Sequence, residues 1–229
     1  VPKVDVIPKV CGAAVYPQDF NLPEQLYAKI RWSDHPHAHL VALDVSRAEA
    51  LPGVVRVITA LDVPHNQYGI NLPDQFVFVP VGKKVTSIAD RLAMVIAESE
   101  DIAERALSLI MAEYDILPVV TDARAAMQDG AELVHPERGE SNVFEHIKIR
   151  KGDIAEGFAA ADVIVEGQYE TPCQEHVYMQ PDAGIGYIDE EERVAVIVAT
   201  QAPHDDLPHI ASVLAVEEKD VCLILPGIG

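Results

Sequence analysis

The clearest pattern along the chain is an unbroken apolar run, Leu92-Ala93-Met94-Val95-Ile96-Ala97, followed by Ser99 and then by apolar positions at Ile102, Ala106 and Ile110. A short apolar run of this kind suits a strand buried on both faces. Ser99 offers a hydroxyl oxygen to the first amides of a helix, and Glu100 and Asp101 complement its dipole. Ala103 and Leu107 widen the apolar stripe. The pattern predicts a strand over 92–97 and a helix from residue 100 to near Tyr114, ahead of Pro118.

Upstream, residues 1–25 carry several prolines and little periodicity, and read as an arm. Strands are expected over Ala28 to Ser33, Val41 to Val45 and Val54 to Thr59. Ser46 and Glu49 have the spacing of a capping box, opening a short helix that Pro52-Gly53 ends. Residues 61–84 hold Pro64, Gly69, Pro73, Pro80 and Gly82, which is loop composition. These elements close an α/β unit of about 120 residues, within the usual size range of a domain.

Downstream, residues 121–150 form a polar connector. Asp153 and Glu156 make a second capping-box pattern ahead of Phe158. Asp162 to Glu170 reads as a long strand. Ala183 to Asp189 and Arg193 to Thr200 flank the acidic turn Glu190-Glu191-Glu192 and read as a hairpin. Leu207, Ile210, Ala211 and Leu214 have helical spacing, and Val221 to Leu225 is a last strand. The boundary falls near residue 130, giving parts 1–130 and 131–229.

Composition narrows the function classes. The chain has 229 residues, 49% hydrophobic and 24% charged, an ordinary globular balance. Its net charge of −20 repels nucleic-acid phosphates and anionic lipid surfaces, so neither is expected as a partner. No apolar run approaches the ~18 residues of a membrane span, and no secretory signal pattern is present. The first residue is Val1, so the natural start is expected upstream or removed. Cys11, Cys173 and Cys222 are far apart and form no CxxC pair, which argues against a zinc or disulfide framework and for a reducing, cytoplasmic compartment. Three thiols are too few for an ordinary iron–sulfur cluster. Neither a P-loop nor a GxGxxG pattern occurs.

The candidate chemistry is sparse. His35, His37 and His39 alternate, as ligands on one strand face would, but no carboxylate or cysteine accompanies them at ligand spacing and Pro36 favours a loop. A packing or surface role is expected. Gln174-Glu175-His176 could supply an acid and a base, yet adjacent residues on extended chain point in opposite directions, which favours structural hydrogen bonding. Gln201, between a strand and a helix in Thr200-Gln201-Ala202-Pro203-His204, could present its amide to a ligand oxygen. Leu225-Pro226-Gly227-Ile228-Gly229 runs a strand into glycines, where backbone amides can approach a ligand closely. On these residues alone the reading is an acidic two-part chain with no assigned reaction.

Taken in order, the segments resemble the molybdenum-binding large subunit of the xanthine dehydrogenase/aldehyde oxidase family. Lys9-Val10-Cys11-Gly12 with Tyr16 and Asp19 resembles its K-V-x-G-x-A-x-Y-x-x-D motif. Ser33 to His39 resembles its S-x-H-A-H segment with an extra residue pair, and Leu51-Pro52-Gly53-Val54 its A-L-P-G-V. Asp90 to Ala97, Ala103 to Ala106 and Ala112 to Pro118 resemble the strand, helix and V-x-Y-x-x-L-P that follow. Gly152-Asp153 with Ala161-Asp162, Gln174-Glu175-His176 with Pro181, and Thr200 to His204 resemble its G-D…A-D, Q-x-H and T-Q-x-P-H.

The resemblance implies an α+β fold: an α/β-hammerhead domain with its arm over 1–130, then the first part of a molybdopterin-binding domain over 131–229. It implies that Gln201 donates a hydrogen bond to an oxygen ligand on molybdenum, and that Gly229 opens a cofactor-binding G-G-F-G-G-K loop. The implied reaction inserts a water-derived hydroxyl into a C–H bond of an aldehyde or N-heterocycle, and electrons pass to [2Fe–2S] clusters and FAD on partner chains or domains. Most pterin contacts and the glutamate base belong to a part of the family not matched here, so no catalytic residue and no protein metal ligand is assigned. The chain is expected to be a fragment or split subunit, inactive alone, that works with a complementary molybdenum-domain polypeptide, an iron–sulfur subunit and an FAD subunit. The alternative is a non-catalytic truncated relative serving as an interaction or assembly module.

Overall fold

Backbone groups that the arm leaves without a ladder are satisfied locally. The computed structural model describes residues 3–178 and 180–227. Val6–Val10 forms a short helix, α1, and Pro17–Asp19 a single tight turn. In that turn the Asp19 carboxylate accepts the Tyr16 amide at 2.9 Å. Pro17 stands where a helix start would leave an amide unpaired anyway.

β1 (Tyr27–Trp32), β2 (Ala38–Asp44), α2 (Ser46–Glu49) and β3 (Val54–Thr59) follow, each close to its expected place. The capping box at Ser46 does not form. Val45 is the cap, and the Asp44 carboxylate accepts the Ser46 amide at 3.0 Å. The stretch read as loop contains β4 (Gln67–Tyr68) and β5 (Gln75–Phe76), paired with each other, and ends in β6 (Lys84–Val85), paired with β2.

β7 (Arg91–Ala97) is the centre of an antiparallel sheet ordered β1-β7-β3. Ala93, Val95 and Ala97 share one face and are fully buried against Ala103 and Ala106 of α3 (Glu100–Leu107). Leu92, of the other parity, is buried in a second cluster with Ala38, Leu40, Val79 and Val85. The strand therefore serves two cores, as its unbroken apolar run predicts. Ser99 caps α3 by accepting the Ile102 amide at 3.3 Å. Gly53 turns the chain into β3 at φ +88°, and a Cβ there would lie 2.6 Å from Ile102 Cδ1.

α3 ends at Leu107 rather than near Tyr114. Met111–Ile116 is a strand, β8, antiparallel to β2 in a sheet ordered β6-β2-β8. Ile110 continues the helical spacing because it is buried in the same cluster from the turn beyond the helix. Pairing with β2 then overrides the local pattern.

In residues 121–178, α4 (Ala123–Ala126) and α5 (Ile154–Ala160) each start from an aspartate. Asp122 accepts the Ala125 amide at 2.7 Å and Asp153 the Glu156 amide at 3.0 Å. Asn142 ties this region together, donating to the Ala126 and Glu132 carbonyls at 3.1 and 2.9 Å and accepting the Val134 amide at 2.9 Å. The strand expected over Asp162 to Glu170 does not form, and those residues are exposed.

β9 (Gly184–Ile188) and β10 (Val194–Val198) make the expected hairpin. Its turn is closed by Asp189, whose carboxylate accepts the Glu191 and Arg193 amides and the Arg193 Nε–H, each at 2.9 Å. α6 (Pro203–Leu214) returns the chain, and β11 (Val221–Ile224) joins β10 to complete the order β11-β10-β9. By compactness the chain divides into residues 1–120 with 179–229, and residues 121–178.

Candidate functional site

β10 and β11 run parallel, with Val194 beside Val221 and Ile197 beside Ile224. A parallel pair needs a crossover connection, here α6. The carboxyl ends of both strands therefore share one edge of the sheet. Two segments leave that edge: Thr200-Gln201-Ala202, which opens α6, and Leu225-Pro226-Gly227. In open sheets with parallel strands, ligands bind outside such carboxyl ends.

The turn that carries Gln201 is built by side chains on either side of it. The Ala202 amide donates to Thr200 Oγ1 at 3.0 Å, and the Thr200 hydroxyl donates to the Asp206 carboxylate. The Asp205 and Asp206 amides donate to the Ala202 carbonyl at 3.0 Å each. Ala202 cannot cap the helix itself, so Thr200 and Asp206 hold the corner instead. Gln201 sits exposed at the bend, where its carboxamide offers two N–H donors and one acceptor. Asp205 and Asp206 in the first turn offset the positive helix end. The corner therefore suits hydrogen bonding to a ligand oxygen better than attraction of a bare anion.

The second segment is closed in by the arm. A Cβ on Gly227 would lie 3.0 Å from the Val15 carbonyl oxygen and 3.6 Å from Tyr16 Cδ1. Only glycine leaves the arm and the β11 exit their present spacing. Gly229, the expected first glycine of a cofactor loop, lies outside the described residues.

Gln174, Glu175 and His176 belong to residues 121–178 and are exposed. Glu175 Oε1 accepts the His176 amide at 2.9 Å and the Val177 amide at 3.4 Å, which agrees with the structural reading. Val177 is left-handed at φ +50°, unusual for a β-branched residue.

The three histidines do not converge. His37 is buried, donates Nδ1–H to the Pro118 carbonyl at 2.6 Å, and faces Lys84 Nζ with Nε2 at 3.4 Å. His35 packs edge-on against Tyr114 at 4.9 Å between ring centroids. Beside it Asp34 pairs with Arg31 at 2.6 Å, which holds its carboxyl below the usual carboxylate range, while burial raises the Tyr114 phenol. Among the described residues no three His, Cys, Asp or Glu side chains are placed to hold a metal ion. Sequence reading missed Asp206 and the contact of Gly227 with the arm. The acidic pair in the first turn of α6 was the available signal for Asp206.

Residues 11–118 match the family model described as the a/b hammerhead domain of aldehyde oxidase and xanthine dehydrogenase, and residues 134–229 match the molybdopterin cofactor-binding domain. The chain belongs to the aldehyde oxidase and xanthine dehydrogenase family. Its fold is that family's hammerhead domain followed by part of its molybdopterin-binding domain. It is 34% identical over 99% of its length to the nicotinate dehydrogenase large molybdopterin subunit of Eubacterium barkeri, of which it covers 52%. It is 33% identical over 96% of its length to a probable xanthine dehydrogenase subunit from Bacillus subtilis, of which it covers 29%. Among solved structures, the aldehyde oxidoreductase from Desulfovibrio desulfuricans superposes with a TM-score of 0.87 at 30% identity, over 99% of this chain and 26% of that one. The chain thus spans about half, or less, of the length of these family members. Among the described residues no helix is long and apolar enough to cross a membrane.

Proposed function

We propose that this chain supplies the hammerhead domain and the opening of the cofactor-binding domain of a molybdenum hydroxylase. In this reading the complete enzyme hydroxylates an aldehyde or N-heterocycle with water-derived oxygen. The electrons leave through [2Fe–2S] and FAD groups carried on partner chains or domains, in the cytoplasm. The observation that carries the reading is the corner at the carboxyl ends of β10 and β11, in a chain whose second half matches the cofactor-binding family model.

The residues at that corner fit a pterin-bound molybdenum group. Gln201 offers an exposed carboxamide on a braced turn. Gly227 brings bare backbone out of the sheet where a Cβ would strike the arm. When bound, the group supplies the oxygen-transfer and two-electron chemistry. Gln201 would orient it by donating an N–H to one of its oxygens, the kind of supporting contact whose loss lowers activity roughly ten- to a hundred-fold. Thr200 and Asp206 keep the Gln201 backbone in place, and Gly229 would begin the loop that cradles the cofactor. No proton-transfer role falls to Glu175, whose carboxylate already serves two backbone amides.

The test is co-expression of the chain with the polypeptide that supplies the rest of the cofactor domain, in a host that makes the molybdenum cofactor. Stoichiometric molybdenum in the complex, and aldehyde- or N-heterocycle-dependent reduction of an acceptor dye, are expected. The Gln201→Ala complex should retain the assembly and lose activity by roughly ten-fold or more. A complex that assembles but contains no molybdenum would overturn the proposal.

A further inference from the structure

The arm is more ordered than its sequence pattern promises. Residues 1–25 hold several prolines and little periodicity, yet Tyr16 to Asp19 are closed by a reciprocal pair of hydrogen bonds. The Tyr16 amide donates to the Asp19 carboxylate, and the Asp19 amide donates back to the Tyr16 carbonyl, each at 2.9 Å. Upstream, the Ala13 and Ala14 amides donate to the Pro8 carbonyl at 2.8 and 3.1 Å, which fixes the run from α1 into the turn. Pro17 is buried although it belongs to neither hydrophobic cluster of the first domain. Ordering a segment costs conformational entropy, so it needs a surface to form against. Two contacts identify that surface. The turn packs on β9, one edge strand of the sheet ordered β11-β10-β9. Tyr16 lies at the exit of β11, the other edge strand: the place of a Cβ on Gly227 is 3.6 Å from both Tyr16 Cδ1 and Cε1, and 3.0 Å from the Val15 carbonyl oxygen. Residues 15–19 thus reach from one edge strand to the exit of the other.

We propose that Tyr16 is a positioning residue for the cofactor corner, and that Asp19 acts through it by holding the turn. This rests on the proposed function and adds to it two residues distant in sequence from Gln201. The backbone explains why a wall is needed at this point. Pro226 fixes its own φ, but Gly227 follows it and is free to turn in several directions. Bare backbone that leaves a sheet at a permissive residue has no direction of its own. The Tyr16 ring and the Val15 carbonyl stand against that residue and limit its swing. The segment that leaves β11 shares a sheet edge with the turn that bears Gln201, so the wall sets the spacing between the two. The ring atoms at the contact are carbons. The bulk of the ring, not its hydroxyl, therefore does the positioning.

The experiment has two readouts, neither of them turnover. In the full chain alone, Tyr16→Ala should speed hydrogen exchange of the Leu223, Ile224 and Leu225 amides by about five-fold or more, because the end of β11 frays once its wall is gone. In the co-expressed complex, the same variant should release molybdenum on dilution about ten-fold faster than the parent, the scale on which supporting contacts act. Tyr16→Phe keeps the ring carbons and should restore both values. Should Tyr16→Ala fail to fold, Asp19→Ala carries the test, since it cuts the bond that closes the turn and leaves the ring in place. A smaller change in the same direction is expected from it, restored by Asp19→Asn, whose amide oxygen can still accept. Molybdenum held as tightly by Tyr16→Ala as by the parent, or by Asp19→Ala where Tyr16→Ala does not fold, overturns the positioning role and leaves the enzyme reading standing. A Tyr16→Phe complex that loses the metal as fast as Tyr16→Ala also overturns it. A parent complex that contains no molybdenum overturns the function itself, and the role of the arm with it.

Discussion

His65 donates its Nδ1 proton to the carbonyl oxygen of Ser212, 2.9 Å away and 147 positions along the chain. The same two segments meet again where Tyr68 packs edge-on to His209, 6.4 Å between ring centroids. Arg91 holds Tyr68 in place, donating to its hydroxyl at 2.5 Å and to the Phe76 and Val77 carbonyls at 3.1 and 2.9 Å. The proline-rich loop of the first domain is thus fastened to the last helix of the described chain.

His65→Ala should therefore loosen a junction, not a core. Loss of one net hydrogen bond removes about 1 kcal/mol, which lowers the melting temperature of a unit this size by roughly 2–4 °C. Differential scanning calorimetry checks it.

Gly53→Ala carries two penalties, a left-handed φ and a Cβ placed 2.6 Å from Ile102 Cδ1. A loss of about 1–3 kcal/mol in urea unfolding is expected. Trimming the neighbour in the double variant with Ile102→Ala should recover part of the steric share and none of the backbone share. Simple additivity of the two single losses would show that the contact does not matter.

Thr200→Val leaves the Ala202 amide without its acceptor and the Asp206 carboxylate without its donor. About 1–2 kcal/mol of stability should go with them. In the molybdenum-containing complex the variant should lose activity although Gln201 is intact, and Thr200→Ser should restore it. Equal activity for Thr200→Val and the parent would show that the turn is not what positions Gln201.

Asp62 accepts the Thr59 amide at 2.9 Å and pairs with Arg56 at 2.6 Å, and these partners hold its carboxyl below the usual range. Its folded pKa is depressed, so its contribution is fully present above the unfolded value of about 3.9 and is lost as pH falls through the lower folded value. Acid unfolding followed by circular dichroism should show Asp62→Asn less stable than the parent at pH 7, with the gap closing at the acid end.

Much of this architecture can be read locally, and the failures have specific causes. The Ser99 and Asp153 caps, the strand at Arg91–Ala97 and the hairpin around Asp189 depend on neighbours in sequence, so pattern finds them. β8 was masked because Ile110 keeps the spacing of α3 while sitting in a turn. The two-residue strands at Gln67 and Gln75 exist only through each other and have no pattern of their own. The Asp44 carboxylate sits two residues before the Ser46 amide it serves, outside the S-x-x-E signature. At the candidate site, Gln201 came from a motif resemblance, whereas Asp206 reaches back across a bend to Thr200, a relation that no strand or helix period encodes.

The larger compact unit is discontinuous: residues 1–120 belong with 179–229, and Thr121 to Tyr178 intervene. On a ribosome the sheet around β7 and its α3 cover can assemble as soon as β8 has emerged. The face of Tyr68 and His65 must then wait, uncovered, until α6 is made. Closing a longer loop is thermodynamically mild, about 0.6 kcal/mol per doubling of its length, so the delay matters in time more than in equilibrium. Synthesis of this protein therefore includes an interval in which the first domain is folded but unfastened, and in that interval its surface is most open to chaperones and to misassociation.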